Sequence, residues 1–231
     1  MKKETKPALR ETKFAKTKLS LLEAALALIR QKPFDEIAVA ELCQMAEVSY
    51  ATFFNYFGKK NDLLVYFIQL WSVEVAWHAR QVGAKSGGLA AIEEIFDYTA
   101  RQCEEGPEIM GEIIALMARR RPGSIIKPPP LTEAEKWIRF PHIEGFKGLG
   151  DMGLESILPP LITAAVNGGE LPSSTDTTAV LEALASIFLG VPVALAAYGP
   201  GNYKDAYRRQ LQTLWAGIRS INKVDKRRNK S

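Results

Sequence analysis

The sequence predicts an all-α protein in which three short N-terminal helices precede a larger helical body. Apolar residues recur at helical spacing along most of the chain, whereas the alternation typical of β-strands is hard to find. The chain has 231 residues, of which 47% are apolar and 24% charged. It is therefore long enough to bury a sizeable core, and its composition argues against global disorder.

The first three predicted helices lie close together in the sequence. The apolar stripe of helix 1 consists of Leu21, Leu22, Ala25, Leu28 and Ile29, and Pro33 ends this helix. Residues 39–46 and 50–56 predict helices 2 and 3, with about three residues between them. This spacing is typical of a helix-turn-helix, whose second helix enters the major groove of DNA. Ser49 is placed to cap helix 3, and that N-terminus favours a phosphate.

Six further helices are predicted in the body. Pro107 begins one of them, because proline is tolerated in the first helical turn. Residues 121–153 are rich in Pro and Gly and are at most partly helical; so long an irregular segment is usually functional or mobile. The six predicted helices cover residues 59–81, 89–105, 107–121, 154–167, 177–199 and 203–221.

The last two predicted helices carry more apolar surface than one subunit needs. Residues 177–199 are apolar nearly all round, which is typical of a helix buried on every side or of a membrane span. Glu182 and Pro192 lie inside this segment and no second such segment exists, so no membrane association is expected. Residues 203–221 carry an apolar stripe with basic residues off it. We therefore predict a homodimer through a four-helix interface, with 177–199 and 203–221 supplied by each chain.

The net charge of +4 is concentrated at the two ends of the chain. Residues 1–13 contain five Lys or Arg and two Glu, and residues 223–231 contain five Lys or Arg and one Asp, so the intervening chain carries a net charge of −3. Charged ends are usually solvated, but the first one adjoins the helix-turn-helix and is expected either to contact DNA or to fray. The absence of a signal peptide and the presence of only two cysteines predict a cytoplasmic protein.

A series of short motifs runs through residues 17–64. They are Ala24-Ala25, Phe34, Val39 with Leu42, "VS" at 48–49, "ATF" at 51–53, "YF" at 56–57, Lys60, and Asp62-Leu63. On these residues the segment resembles the N-terminal domain of the tetracycline-repressor (TetR) family, along about fifty residues without a gap. The resemblance implies a helix-turn-helix DNA-binding domain at 14–64 and a helical effector-binding and dimerisation domain at 65–222. The charge distribution adds a basic arm at 1–13 and a basic tail at 223–231.

Four positions depart from the pattern of the family. Pro33 stands where Gly is usual but still ends a helix, and Phe54 stands where Tyr is frequent, which removes one hydroxyl. Ala38 replaces Thr or Ser, so helix 2 is expected to lack a side-chain N-cap that is typically worth about 1 kcal/mol. Glu47 stands where Gly is usual, and a left-handed backbone there costs a residue with a Cβ roughly 1 kcal/mol.

Helix 3 is predicted to have a buried side and a DNA-facing side. Four large aromatics are too many for a two-turn helix to bury, so Phe53 and Phe57 are predicted as core and the others as exposed. The resemblance implies base contacts from Tyr50, Ala51, Phe54 and Asn55, and phosphate contacts from Ser49, Thr52, Tyr56 and Lys60. The chemistry agrees, because Asn pairs with adenine, apolar groups pack on the thymine methyl, and hydroxyl and ammonium groups hold phosphates.

The resemblance further implies that the body binds a small-molecule effector, which changes the spacing of two reading heads on a palindromic operator. Half-sites of a dimeric reader lie about 34–36 Å apart, so modest tilts prevent simultaneous docking. Predicted helix 59–81 links the reader to the body, and 121–153 is a candidate lid or entrance. Candidate pocket residues, of types that are more often plain core than the wall of a ligand site, are Phe96, Met110, Ile114, Met117, Trp137, Phe140 and Phe188. Their apolar character favours an apolar or aromatic effector.

Enzymatic motifs are missing from the sequence. His78 and His142 have no partner at metal-ligand spacing, and neither HExxH, GxSxG nor a P-loop occurs. "GLGDMG" at 148–153 satisfies G-x-G-x-x-G but follows no predicted strand, so we interpret it as a chance match. We expect no catalytic residue, metal or cofactor. The alternative is a small-molecule carrier or enzyme that keeps this body and has lost sequence-specific DNA reading.

Overall fold

The fold is that of a computed structural model, which describes residues 7–120, 128–143, 145–146, 149, 152–199 and 201–228, with side chains up to residue 220. These residues form α-helices and one 3₁₀ helix (Phe34–Glu36) without any strand, which confirms the predicted all-α class. The α-helices are α1 (Leu9–Ile29), α2 (Val39–Met45), α3 (Tyr50–Tyr56), α4 (Asp62–Ser86), α5 (Gly88–Glu105), α6 (Pro107–Ala118), α7 (Glu133–Arg139), α8 (Leu154–Asn167), α9 (Thr177–Tyr198) and α10 (Tyr203–Arg228).

The chain forms two compact units. The first comprises Met1–Val73 with Glu108–Asp151, and the second comprises Glu74–Pro107 with Met152–Ser231. The first unit therefore contains the predicted DNA reader together with α7 and nearly all of α6. The second contains α5, α8, α9 and α10, and the division between the units falls inside α4.

Helix α1 is the centre of the first unit. Its predicted apolar stripe is buried, and the helix packs against both α2 and α7. Pro33 precedes the 3₁₀ helix, which buries Phe34 to 2% exposure. Close packing of these apolar side chains is what holds such short helices together, because isolated helices of this length are marginal in water.

Helix α5 is the centre of the second unit, where it packs against α8 and α10. The ring of Phe96 lies with its centroid 5.7 Å from that of Phe188 and 5.2 Å from that of Tyr207. The buried Tyr207 hydroxyl donates to the carbonyl oxygen of Phe188 at 2.8 Å, so this polar group is satisfied inside the core. Burial raises the pKa of Tyr207 above its usual range.

The start of α5 approaches α8 very closely at Gly88. A Cβ at this position would lie 2.6 Å from the Leu161 carbonyl oxygen, so only glycine fits without a shift of the backbone. The N–H groups of Gly88 and Leu89 donate to the Glu170 carboxylate at 2.6 and 3.2 Å. Glu170 thus satisfies donors at the beginning of α5 and places a negative charge at the positive end of the helix dipole.

Two helices are longer than the sequence predicts. Helix α4 continues to Ser86, because the isolated Gly83 is tolerated and the break comes only at Gly87, whose φ is +93°. Helix α10 continues to Arg228 and so includes part of the predicted basic tail. Residues 121–153 are partly helical as predicted, through α7, whereas half of the glycine pattern at 148–153 lies outside the described residues.

Helix α9 is long and apolar enough to cross a membrane, judged by length and composition alone. Only 28% of its most apolar window is buried within the chain, and Val193 and Tyr198 are 50% and 92% exposed. One chain therefore leaves a large apolar face of α9 uncovered.

Candidate DNA-binding face

The turn between α2 and α3 has the backbone that the sequence predicts. Glu47 has a φ of +54°, in the left-handed region, and the Val48 N–H closes the turn by donating to the Cys43 carbonyl oxygen at 2.9 Å. The Ser49 hydroxyl accepts from the Thr52 N–H at 3.0 Å, which confirms Ser49 as the cap of α3. The two hydroxyls of Ser49 and Thr52 lie 2.8 Å apart, so this cap presents a pair of hydroxyls at the beginning of α3.

Helix α2 lacks a side-chain cap at Ala38, as predicted, but a carboxylate replaces part of it. Glu41 accepts from the Ala38 N–H at 2.8 Å and pairs with the ammonium of Lys32 at 2.6 Å. The hydrogen bond from Lys32 and that from the Ala38 backbone lower the pKa of Glu41. The Glu41 carboxylate near the N-terminus of α2 therefore compensates in part for the missing cap hydroxyl at Ala38.

Helix α3 separates its aromatics between core and surface. Phe53 and Phe57 are 0% and 4% exposed, whereas Tyr50 and Phe54 are 58% and 43% exposed with ring centroids 5.0 Å apart. The predicted division of the four rings is thus confirmed. Ala51 and Asn55 are also exposed, so all four residues that resemble base-reading positions lie on the outer side of α3.

An open groove of about 600 Å³ runs between the start of α1 and the side of α3. The rings of Phe14 and Tyr56 form part of its lining, with centroids 4.4 Å apart. The complete lining consists of Leu9, Arg10, Lys13, Phe14, Thr52, Asn55 and Tyr56. Three predicted DNA contacts, Thr52, Asn55 and Tyr56, therefore share a concave surface with two basic side chains.

Arg10, Lys13 and Phe14 were not among the predicted site residues. The sequence does contain a signal for them, because positions 10, 13 and 14 share one face of a helix that begins at Leu9. The prediction treated residues 1–13 as an arm, and it therefore missed that the end of this arm is helical and lies beside α3.

Lys60 also resembles a phosphate-contacting position, and the structure places its ammonium against the protein backbone. The nitrogen donates to the carbonyl oxygens of Phe34, Asp35 and Ile37 at 2.6, 3.1 and 2.8 Å. It also lies 4.8 Å above the Phe34 ring. An ammonium has three donors, so these contacts occupy all of them in this conformation.

The 3₁₀ helix is also held by Glu112 of α6 and by Arg119, which follows α6. The Phe34 N–H donates to the carboxylate of Glu112 at 2.9 Å, and Arg119 pairs with Asp35 at 2.6 Å. The loop that connects α1 to α2 is therefore held by three charged side chains, those of Lys60, Glu112 and Arg119.

The candidate pocket residues are divided between the two units. Phe96 and Phe188 contact each other in the second unit, whereas the other five belong to the first. There Met110 and Phe140 are buried, Ile114 and Met117 are half-buried, and Trp137 is 40% exposed. An effector site lined by these residues stays a prediction.

The described residues contain no group of three or more His, Cys, Asp or Glu that could hold a metal ion. Cys43 and Cys103 are both free and buried, and burial raises the pKa of each thiol, that of Cys103 to about 12. Thiols in such surroundings are poor nucleophiles.

Comparison with known proteins identifies the N-terminal segment. Residues 21–67 match a family model described as bacterial regulatory proteins, tetR family. No curated protein matches the chain. The matched residues begin within α1 and end within α4, and they include the turn and the whole of α3.

Solved structures with the same fold include three regulators. FadR from Thermus thermophilus, a TetR family transcriptional repressor in complex with lauroyl-CoA, superimposes with a TM-score of 0.63 at 17% identity, over 87% of this chain and 94% of that one. A TetR transcriptional regulator from a Rhodococcus species gives 0.53 at 16% identity, over 86% and 95%. PfmR, a TetR family transcriptional regulator also from Thermus thermophilus, gives 0.53 at 18% identity, over 85% and 97%. At these identities the likeness shows the fold.

We expect Glu47→Gly to raise the free energy of unfolding by about 0.5–1 kcal/mol, because glycine adopts a positive φ without a Cβ clash. The greater freedom of glycine in the unfolded chain offsets part of the gain. The matched control is Gln44→Gly in the exposed, helical part of α2, which should lower stability by about 1 kcal/mol. Urea denaturation followed by circular dichroism gives both values. A Glu47→Gly protein no more stable than the wild type would show that the turn is not strained.

Proposed function

We propose that this chain, whose residues 21–67 match the model of the tetR family of bacterial regulatory proteins, is a cytoplasmic transcriptional repressor of that family. It binds a palindromic DNA operator as a homodimer and is released by a small, largely apolar effector. The observation that carries the proposal is the outer face of α3, where exposed aromatic and amide side chains stand on a helix anchored by buried Phe53 and Phe57.

Direct reading of bases is proposed for the outer face of α3. The Asn55 amide has the donor and acceptor needed to pair with N6 and N7 of adenine. The Ala51 methyl and the exposed ring of Phe54 are suited to contact with a thymine methyl, and Tyr50 extends the same surface. A groove-inserted helix of two turns offers about this many readable positions.

Phosphate contacts are proposed on both sides of the groove beside α3. Ser49 and Thr52 present hydroxyls at the N-terminus of α3, and Tyr56 presents a third from its last turn. Arg10 and Lys13 add positive charge along the same groove, where they would release counterions from the DNA backbone. Lys60 is proposed to support DNA binding indirectly, because its ammonium holds carbonyl groups of the 3₁₀ helix and of the following Ile37.

Operator selection tests the proposal of sequence-specific binding. We expect a pseudo-palindrome to be enriched, and Asn55→Ala to weaken its binding by about 1–3 kcal/mol, because one bidentate base contact is lost. Tyr56→Phe should cost about 0.5–1.5 kcal/mol as a lost hydrogen bond. Affinities would be measured by fluorescence anisotropy, with Asn167→Ala, an exposed Asn at the end of α8, as the matched control. If no operator is enriched and DNA binding is weak and indifferent to sequence, a carrier or enzyme that lost DNA reading is the better description.

Homodimerisation is proposed through the uncovered apolar face of α9 together with α10. Two such faces together would bury the apolar surface that one chain exposes, as in a four-helix interface. Two-fold symmetry of the protein would then match the two-fold symmetry of the operator.

We expect Val193→Lys to shift the protein from dimer to monomer, because a charge would replace an apolar side chain in the interface. Light scattering coupled to size-exclusion chromatography measures the mass directly. Gln102→Lys, at an exposed position of α5, adds the same charge elsewhere and should remain dimeric. A wild-type protein that is monomeric at tens of micromolar would contradict the proposed interface.

Effector release is proposed because apolar and aromatic side chains dominate the candidate pocket residues. A practical first probe is lauroyl-CoA, since a repressor with the same fold is known in complex with it. Its long acyl chain matches an apolar lining, and a panel of shorter acyl thioesters and aromatic acids would define the class.

A bound effector should raise the melting temperature, by an amount equivalent to about 2.7 kcal/mol of stability at a concentration of 100 Kd. The same ligand should weaken operator binding, as the proposed release requires, and the operator should weaken ligand binding by the same factor because coupling between two sites is reciprocal. Thermal-shift screening followed by anisotropy titrations measures both effects. If no compound of a broad apolar set stabilises the protein, the body serves dimerisation alone.

A further inference from the structure

A buried ion pair joins α1 to the segment that follows α6. The ammonium of Lys18 lies 2.6 Å from an oxygen of Glu135 in α7, and the two side chains are only 12% and 1% exposed. Three aromatic rings surround the ammonium, with Nζ 4.1, 5.6 and 6.0 Å from the centroids of Tyr66, Phe57 and Phe14. A cation over aromatic faces gains attraction from their quadrupoles.

The Glu135 carboxylate contacts a second residue besides Lys18 at this site. Its second oxygen accepts from the N–H and from the hydroxyl of Thr132, both at 2.7 Å, and the Thr132 hydroxyl in turn accepts from the Glu135 N–H. Burial alone would raise the pKa of Glu135, but the Lys18 and Thr132 contacts outweigh it and lower this pKa. The geometry of the pair is therefore set by the N-terminal cap of α7 as well as by the charges.

Glu135 belongs to a longer segment that is packed onto the first unit, which we name the strap (residues 128–143 with 145–146). Apolar side chains along it are buried, namely Leu131, Ala134, Phe140, Ile143 and Phe146. At its beginning the Pro129 carbonyl oxygen accepts from the amide of Gln69 in α4 at 3.1 Å, and Gln69 is only 3% exposed. The strap therefore contacts α1 of the predicted DNA reader and also Gln69, in the part of α4 that follows this reader.

The three rings around Lys18 connect its ammonium to the end of α3 through ring contacts. Phe57 caps the end of α3, and its ring lies 5.7 Å from that of Tyr66 and 5.8 Å from that of Phe53. Phe14 packs on Tyr56, the last residue of α3, with centroids 4.4 Å apart. Phe14 therefore links the Lys18 ammonium to Tyr56, and Phe57 links it to Phe53.

We propose that Lys18 and Glu135 are positioning residues for DNA reading, which hold the start of α1 and the end of α3 in the arrangement that fits an operator. Apolar packing is not directional, whereas the ion pair and the capped start of α7 fix the orientation of the contact between α7 and α1. The inference rests on the proposed operator binding. It adds that the strap controls how well the proposed DNA contacts are aligned, although Glu135 itself touches none of them.

Operator affinity of strap variants tests the inference. We expect Glu135→Gln to weaken operator binding at least tenfold while leaving non-specific DNA binding within twofold. A merely unfolded fraction would lower both in proportion. The matched control is Glu133→Gln, which removes an exposed carboxylate from the same helix and should leave operator affinity within twofold.

A second variant keeps the test decisive if Glu135→Gln does not fold. The double variant Lys18→Met with Glu135→Leu removes both charges, and such apolar replacements of buried ion pairs often preserve stability. We expect it to retain the wild-type melting temperature and still to lose at least fivefold in operator affinity. A folded double variant with operator affinity within twofold of the wild type overturns the inference.

A measurement on the wild-type protein needs no variant. Because linkage is reciprocal, operator binding should slow amide hydrogen exchange in residues 132–140 at least threefold relative to non-specific DNA. Equal exchange in both complexes would contradict the inference. If the wild type selects no operator at all, it is the proposed function that fails.

Discussion

The whole of the proposed DNA-binding face depends on how a seven-residue helix is anchored. A helix as short as α3 is not stable by itself in water, so its position comes from the core contacts of Phe53 and Phe57 and from the Ser49 cap. Every exposed side chain on its outer face takes its direction from those two buried rings. The Lys18 ammonium, which pairs with Glu135, lies 5.6 Å from the centroid of the Phe57 ring, whereas Glu112 and Lys60 hold the backbone of the 3₁₀ helix.

Much of this arrangement could be predicted from the sequence, and the reasons are local. The period of 3.6 places Phe53 and Phe57 four residues apart on one face, and the short spacing between α2 and α3 defines the turn. The strained backbone at Glu47 and the missing cap at Ala38 are both properties of single positions, which is why a comparison of residue types reveals them. Similar reasoning identifies Ser49 as a cap.

The contacts between distant parts of the chain could not be predicted in this way. Nothing near Lys18 in the sequence indicates a carboxylate 117 positions later, and α7 lies in a segment rich in Pro and Gly. The three carbonyls around Lys60 belong to a loop some 25 residues earlier, and a carbonyl leaves no mark in the residue type. The groove beside α3 needs both α1 and α3, so Arg10 and Lys13 acquire their meaning only in three dimensions.

The separation of buried and exposed aromatics on α3 has a consequence for evolution. Tyr50 and Phe54 lie outside the core, and exchanging side chains at such positions usually changes stability by no more than about 0.5 kcal/mol. Under the proposed function, duplicated copies of such a gene can therefore drift toward new target sequences through these positions while Phe53 and Phe57 stay unchanged. Folding and the proposed target choice would then be inherited as nearly independent traits, although they are encoded within two turns of one helix.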